Sequence, residues 1–214
     1  MIKGRVIYKK MNQSLNLKIN TIDSLLIATK SDDYDFIIDL NNAVFVAYLQ
    51  HQNNKIKIHR FAVGYDLYYF SEHIQKCIEG KINIPIGLDR NIDLGLLWNE
   101  HWQKISLAED SGHPLPTWKW VASDTVFFQN KSDGDFSNNT FLYNDQQGNI
   151  ILQVSLAYPW FFTDAPSNEL NISYYDWLLK YKIVYKSMIP REIAQQWVLQ
   201  LNELYAQLDK NMQT

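Results

Sequence analysis

The apolar residues of this chain repeat at two different periods, and this change of period constrains the fold most strongly. Apolar and polar residues alternate along Arg5–Tyr8, Leu15–Ile19 and Lys55–Phe61, which is the period of a half-buried strand. Residues 66–79 instead carry an apolar residue every three or four positions, which predicts a helix. Blocks of both kinds in one chain predict an α+β fold.

The strand-like segments of the first half follow one another closely. Asp35–Leu40 and Ala43–Leu49 are separated by Asn41-Asn42, which predicts a hairpin. The polar residues Gln52–Asn54 form the next turn before the strand at 55–61. Consecutive short strands with tight connections form an antiparallel meander more readily than a parallel sheet.

A helix is predicted in the middle of the chain and a second one after it. The stripe of the first consists of Leu67, Phe70, Ile74, Cys77 and Ile78. Gly80 is its expected stop. A short strand is expected at 82–86, and a helix at 94–107 that places Trp98 and Trp102 one turn apart.

Strand patterns return at residues 118–121, 125–128, 140–143 and 150–154. Ser173, with Asp176 three positions later, predicts the capped start of a helix that runs through Tyr181 or beyond. Pro190 suits the first turn of the last helix. Its apolar stripe predicts packing on a sheet and comprises Ile193, Trp197, Val198, Leu201, Leu204, Tyr205 and Leu208.

The chain length of 214 residues is ample for a hydrophobic core. We therefore expect a single α+β domain over residues 1–214, in which a mostly antiparallel sheet carries the mid-chain helix and the long C-terminal helix. The proline- and glycine-rich loop near 110–117 is the one candidate for an internal boundary.

Composition places the protein in the cytoplasm as the default expectation. Cys77 is the only cysteine, which excludes an intramolecular disulfide. The N-terminus lacks the apolar stretch of a signal peptide, and no apolar run approaches the length of a membrane-spanning helix. We expect no membrane partner.

Charge is unevenly distributed along the chain. Residues 1–107 have a net charge of +2 and residues 108–214 a net charge of −5. Neither half shows the clustered basic residues of a nucleic-acid binder, so no nucleic-acid partner is predicted. The acidic half favours a basic partner.

Motifs for catalysis or cofactor binding are missing from the sequence. It has no glycine-rich phosphate loop and no nucleophile elbow, and its five histidines lack metal-ligand spacing. Cys77 lies on the helical stripe and is interpreted as a buried structural thiol. We accordingly predict no catalytic residue, no cofactor and no metal.

The most unusual segment is the aromatic, proline-containing stretch Tyr158–Pro166. Its apolar side chains either pack inward or form an exposed binding surface. In the second case Trp160, Phe161 and Phe162 would anchor a partner, with Asp164 on the rim. Asp133 and Asp135 are predicted to form a second acidic patch.

Residues 98–208 resemble the immunity proteins of bacterial polymorphic-toxin and contact-dependent growth-inhibition systems. The resemblance lies in the pair Trp98/Trp102, the His113-Pro114 loop followed by Trp118-Lys119-Trp120, the next hairpin and the C-terminal helix. It implies a non-catalytic inhibitor that binds a cognate toxin domain, often a basic nuclease, and blocks its active site.

Two alternatives stay open at the level of sequence. One is an enzyme, hydrolase-like, whose site is assembled from distant residues, with His113 or a carboxylate of shifted pKa as the expected participant. The other is a regulatory binding module, which would need a basic stripe on its surface if it bound nucleic acid.

Overall fold

The computed structural model describes residues 14–29, 44–62, 64–85, 93–117, 126–129, 138–161 and 172–212. Among these residues, no helix is both long enough and apolar enough to cross a membrane. The predicted segments at 5–8, 35–42 and 118–121 lie outside the described residues.

Eight strands and four helices make up this part of the chain. The strands are β1 (Ser14–Lys18), β2 (Ser24–Thr29), β3 (Val44–His51), β4 (Asn54–Ala62), β5 (Val126–Gln129), β6 (Asn138–Asn144), β7 (Ile150–Leu156) and β8 (Ile183–Ile189). The helices are α1 (Gly64–Ile78), α2 (Leu94–Ser111), α3 (Tyr174–Leu178) and α4 (Arg191–Met212).

The strands form two separate four-stranded sheets, with the orders β1-β2-β3-β4 and β5-β6-β7-β8. Every neighbouring pair of strands is antiparallel. The predicted α+β class, with antiparallel meanders, a mid-chain helix and a C-terminal helix, is thereby confirmed.

The described residues divide into two compact units. The first unit draws on Met1–Gln75 and Glu192–Thr214, and the second on Lys76–Arg191. The predicted boundary near 110–117 lies inside the second unit, where Gly112 ends α2 with a left-handed φ of 67°. A single domain over the whole chain stays a prediction.

In the first unit, β3 and β4 form the hairpin that the polar turn predicted. Gln52 and Asn53 both have positive φ values, 47° and 68°. Two such residues between paired strands match a type I′ turn, whose twist suits a hairpin. The sequence predicted this turn correctly. It did not predict β2, because the apolar residues of that strand form a continuous run and do not alternate with polar ones.

Helix α4 packs against the first sheet through Trp197. This side chain is buried, and its indole N–H donates to the carbonyl oxygen of Lys18 on β1 at 2.7 Å. Ser71 of α1 donates to Asn202 of α4 at 2.9 Å. All five stripe residues of α1 are buried, including Cys77, as the helical period predicted.

In the second unit, β6 is buried along its entire length. The hairpin to β7 was predicted correctly and is closed by Asp145, which accepts the backbone N–H groups of Gln147 and Asn149 at 2.8 and 2.9 Å. The Cys77 thiol donates to the carbonyl oxygen of Leu142 on β6. Burial raises the pKa of that thiol to about 12, which keeps it protonated.

Two predictions for the second unit are wrong. Residues 82–86 were expected to form a strand, but the described part holds only an isolated parallel bridge between Asn83 and Asn144. The helix capped by Ser173 ends at Leu178, and β8 follows where helix was expected. The buried residues of β8, Tyr185 and Ile189, are four positions apart, a spacing that fits one face of a strand and one turn of a helix equally well.

Replacing Trp197 tests the packing of α4 on the first sheet. Trp197→Ala should lower the free energy of unfolding by about 3–5 kcal/mol, because it removes a fully buried ring. Trp197→Phe should cost less, since it keeps most of the apolar contact and loses the hydrogen bond to Lys18. Urea denaturation measures both, with the exposed neighbour Gln196→Ala as control; a Trp197→Ala loss equal to the control would contradict this packing.

Candidate partner-binding surface

The predicted anchors around Trp160 are placed in two different environments. Phe161 is only 7% exposed and packs inside the second unit, whereas the neighbouring Trp160 is partly exposed. Phe162, Asp164, Asp133 and Asp135 lie outside the described residues. Phe161 is therefore part of the core in this conformation, while Trp160 is accessible.

An aromatic cluster explains why Phe161 is buried. Its ring lies 5.1 Å from that of Tyr158, 5.8 Å from Trp98 on α2 and 6.1 Å from Tyr174 on α3. Trp177 stacks on Tyr174 with centroids 5.8 Å apart. Offset and edge-to-face pairs of this kind stabilise beyond their buried area. The cluster holds the residues after β7 between α2 and α3.

Backbone hydrogen bonds fix the same segment. Asn99 of α2 accepts the Tyr158 backbone N–H at 2.7 Å and donates to the Leu156 carbonyl oxygen at 3.1 Å. The Tyr158 hydroxyl donates to the carbonyl oxygen of Ile172, just before α3, at 2.9 Å. The Ser106 hydroxyl of α2 donates to the Phe161 carbonyl oxygen. These bonds fix the backbone on both sides of Trp160.

Asp93 joins α2 to the two strands β7 and β8. One carboxylate oxygen accepts the backbone N–H groups of Gly95 and Leu96, at 3.0 and 3.3 Å, and so caps α2. The same oxygen accepts the Gln153 side-chain amide of β7 at 2.9 Å and the Tyr181 hydroxyl at 2.6 Å. Tyr181 lies two residues before β8, so this bond fixes where β8 begins.

Only glycine fits at position 95, because α2 lies very close to Ser155 and Tyr181 there. A side chain there would place its Cβ 2.5 Å from the Tyr181 hydroxyl oxygen and 2.7 Å from the Ser155 Cβ. Real Cβ atoms do not approach so closely, so any larger residue would push α2 away from β7. The sequence gives no separate signal for this glycine, because the constraint comes from residues 60 and more positions away.

One accessible feature of the second unit is a set of exposed side chains on α3, on β8 and on the residues that connect them. We call it the α3–β8 strip and define it by Tyr175, Leu179, Ile183, Met188, Lys180, Lys182 and Lys186. The exposed fractions are 87% for Leu179, 71% for Tyr175, 56% for Met188 and 39% for Ile183. The three lysines are exposed as well.

Sequence reasoning missed this strip although two signals were present. Leu179, Ile183 and Met188 do not share a single helical stripe, which is unexpected for a helix over 173–181 and beyond. Residues 172–191 also contain four cationic residues and one carboxylate, Asp176, within a half of the chain that is acidic as a whole.

The residue that follows Trp160 in the chain contacts α3. This residue, Phe161, packs on Tyr174, and the Tyr174 ring lies 5.8 Å from that of Tyr175 in the strip. The structure therefore joins Phe161, the buried one of the predicted anchors, to α3.

Two other polar groups are candidates for chemistry. In the first unit, Asp23 accepts hydrogen bonds from Asn20, at 2.8 Å, and lies 2.8 Å from His51 Nδ1. These contacts join the β1–β2 turn to the end of β3. In the second unit, His113 lies exposed just after α2, 3.2 Å from the Ser111 carbonyl oxygen. Within the described ranges, no group of three or more potential metal ligands comes together.

Comparison with protein-family models, with curated proteins and with solved structures found no match.

Replacing Phe161 tests whether it belongs to the core. Phe161→Ala should lower the free energy of unfolding by about 3–5 kcal/mol because it leaves a cavity in the aromatic cluster. Trp160→Ala should cost clearly less, since its side chain is partly exposed. Chemical denaturation of both variants measures the difference; equal losses would mean that the two rings are equally buried.

The Tyr181–Asp93 contact should appear in alkaline unfolding. Burial, followed by the hydrogen bond to Asp93, raises the pKa of Tyr181. A phenol whose pKa is higher in the folded state stabilises the fold fully below its unfolded pKa of about 10, and this contribution is lost as the pH rises further. The free energy of unfolding should therefore fall above pH ~10, and less steeply in Tyr181→Phe. Identical slopes in the two proteins would contradict the contact.

Proposed function

We propose that this protein acts by binding another protein and serves as an immunity protein that neutralises a cognate toxin in the cytoplasm of the producing cell. The observation that carries the proposal is the α3–β8 strip, four large apolar side chains exposed within residues 175–188 and bordered by lysines. An exposed apolar centre with a charged rim is the usual composition of a protein–protein interface.

Trp160 supports the same proposal. It is partly exposed, and tryptophan and tyrosine are the side chains that most often dominate binding energy at interfaces. Tyr175 is a second large aromatic side chain of the second unit that is exposed. The role of Phe162, Asp164, Asp133 and Asp135 as further contacts stays part of the proposal.

The rigid attachment of the strip favours tight binding. Tyr174 and Trp177 are buried in the aromatic cluster, so α3 presents Tyr175 and Leu179 from a fixed support. A surface that is already ordered loses little conformational entropy when it binds. Inhibition of a toxin requires a long-lived complex, and preorganisation contributes to one.

The resemblance and this surface together support the proposed immunity function. A toxin and its immunity protein are encoded side by side, so the partner to test is the C-terminal domain of a large exported protein encoded immediately upstream. Purified protein and toxin domain should form a stoichiometric complex, and co-expression should restore growth of cells that produce the toxin. A failure to bind at micromolar concentrations would overturn the proposal.

A substitution in the strip tests where the partner binds. Leu179→Gln should weaken binding at least tenfold, by about 1.4 kcal/mol, without lowering the stability of the free protein, because Leu179 is almost fully exposed. Leu199→Gln is the matched control, an exposed leucine on α4 in the first unit. Calorimetric titration with the toxin domain measures both affinities; equal effects of the two variants would place the interface elsewhere.

A further inference from the structure

Strand β8 is at one end of the second sheet. Among the described residues it pairs only with β7, so one of its two edges has no neighbouring strand. The N–H and C=O groups along such an edge can hydrogen-bond to an added strand. A free edge of this kind accepts any extended chain unless its side chains restrict the choice.

The exposed side chains of β8 are both apolar and basic. Ile183 and Met188 are exposed, and Lys182 and Lys186 lie beside them. Within the described residues, none of the three lysines of the strip forms an ion pair. Their charges are therefore available to a partner.

A second copy of this chain is a poor occupant of the edge. Lys186 is the central residue of β8. Full-length antiparallel pairing of β8 with its own copy about a two-fold axis would place Lys186 directly opposite Lys186 of the copy. Like charges in directly opposed positions destabilise strand pairing. The lysine at the centre of the edge thus disfavours self-association and favours an acidic strand.

The charges of residues 172–191 also favour an acidic strand. Asp176 is the only carboxylate in residues 172–191, and it accepts a hydrogen bond from the Ser173 hydroxyl at 2.7 Å as part of the helix cap. Lys180, Lys182 and Lys186 therefore form a local basic stretch in a protein whose net charge is −3. Local charge of one sign selects partners of the opposite sign and speeds their association.

The start of the edge is held in place before any partner binds. Tyr181 donates to Asp93 at the beginning of α2, and the Leu156 backbone N–H donates to the Lys182 carbonyl oxygen at 3.2 Å. The β7–β8 pairing continues to Ile189. An added strand would therefore meet an ordered template, which lowers the entropy lost on binding.

We propose that the free edge of β8 binds an extended, acidic segment of the partner protein by strand addition. Backbone hydrogen bonds join the segment to β8, and its carboxylates face Lys186 on the side of the strand that also carries Met188. This inference rests on the proposed function, because the segment belongs to the toxin that the protein neutralises.

A pair of peptides tests the edge without the toxin. One is a nine-residue peptide of alternating glutamate and valine or threonine, and the other has lysine in place of every glutamate. NMR titration up to millimolar peptide should show slowed amide exchange and shifted resonances in residues 183–189 with the acidic peptide only. Higher salt should weaken this binding, because the lysines are exposed.

Charge reversal of the lysines should invert the preference. The double variant Lys182→Glu/Lys186→Glu should bind the acidic peptide at least tenfold more weakly and gain affinity for the basic one. Lys104→Glu is the control, an exposed lysine on α2 in the same unit. It should leave both affinities unchanged.

Several results would overturn the inference. These are equal binding of both peptides, protection outside β8, or binding of a single-stranded oligonucleotide in preference to the acidic peptide. A toxin complex that leaves amide exchange in β8 unchanged would overturn it as well, while the proposed function would stand. If the protein binds the acidic peptide selectively but does not bind the toxin domain, strand addition at β8 is supported and the proposed function is contradicted.

Discussion

The second unit depends on one carboxylate oxygen of Asp93. It accepts two backbone N–H groups of α2, the Gln153 amide of β7 and the Tyr181 hydroxyl before β8. Hydrogen bonds to an ionised acceptor are the strong ones, and removing a partner leaves buried polar groups unsatisfied. Gly95 allows α2 to approach closely enough for this contact. Asp93 thus joins the start of α2, strand β7 and the residue two positions before β8, which is the strand whose edge we propose to bind a partner.

The aromatic cluster divides the aromatic residues into those that stabilise the unit and those that remain accessible. Phe161, Tyr174 and Trp177 pack together and are buried, and burial raises the pKa of Tyr174 to about 12. Trp160 and Tyr175, their neighbours in sequence, are partly or largely exposed. Adjacent residues thus take different roles because a short helix and a loop each present one side to the core. The buried rings therefore hold in place the backbone that carries Trp160 and Tyr175.

Much of the fold follows from local patterns, and the exceptions have physical causes. Local patterns correctly predicted the stripe of α1, the helix α4, the Gln52-Asn53 turn, the β6–β7 hairpin and the Ser173 cap. Strand β8 was not, because its buried residues are spaced by four, and such a spacing does not distinguish a strand from a helix. Strand β2 has apolar residues in a continuous run rather than in alternation, so its period gave no signal. The candidate site was predicted only in part, at Trp160.

The sequence by itself determined the class of fold and the residues of the main helical cores, because hydrophobic periods and turn residues act locally. It also determined the basic character of residues 172–191, which is a matter of composition. Only the tertiary structure decided that Phe161 is buried, that Asp93 joins α2 to β7 and the start of β8, and that β8 is the last strand of its sheet among the described residues. Each of these depends on contacts between residues far apart in the chain, and no local pattern encodes which distant segment arrives beside them.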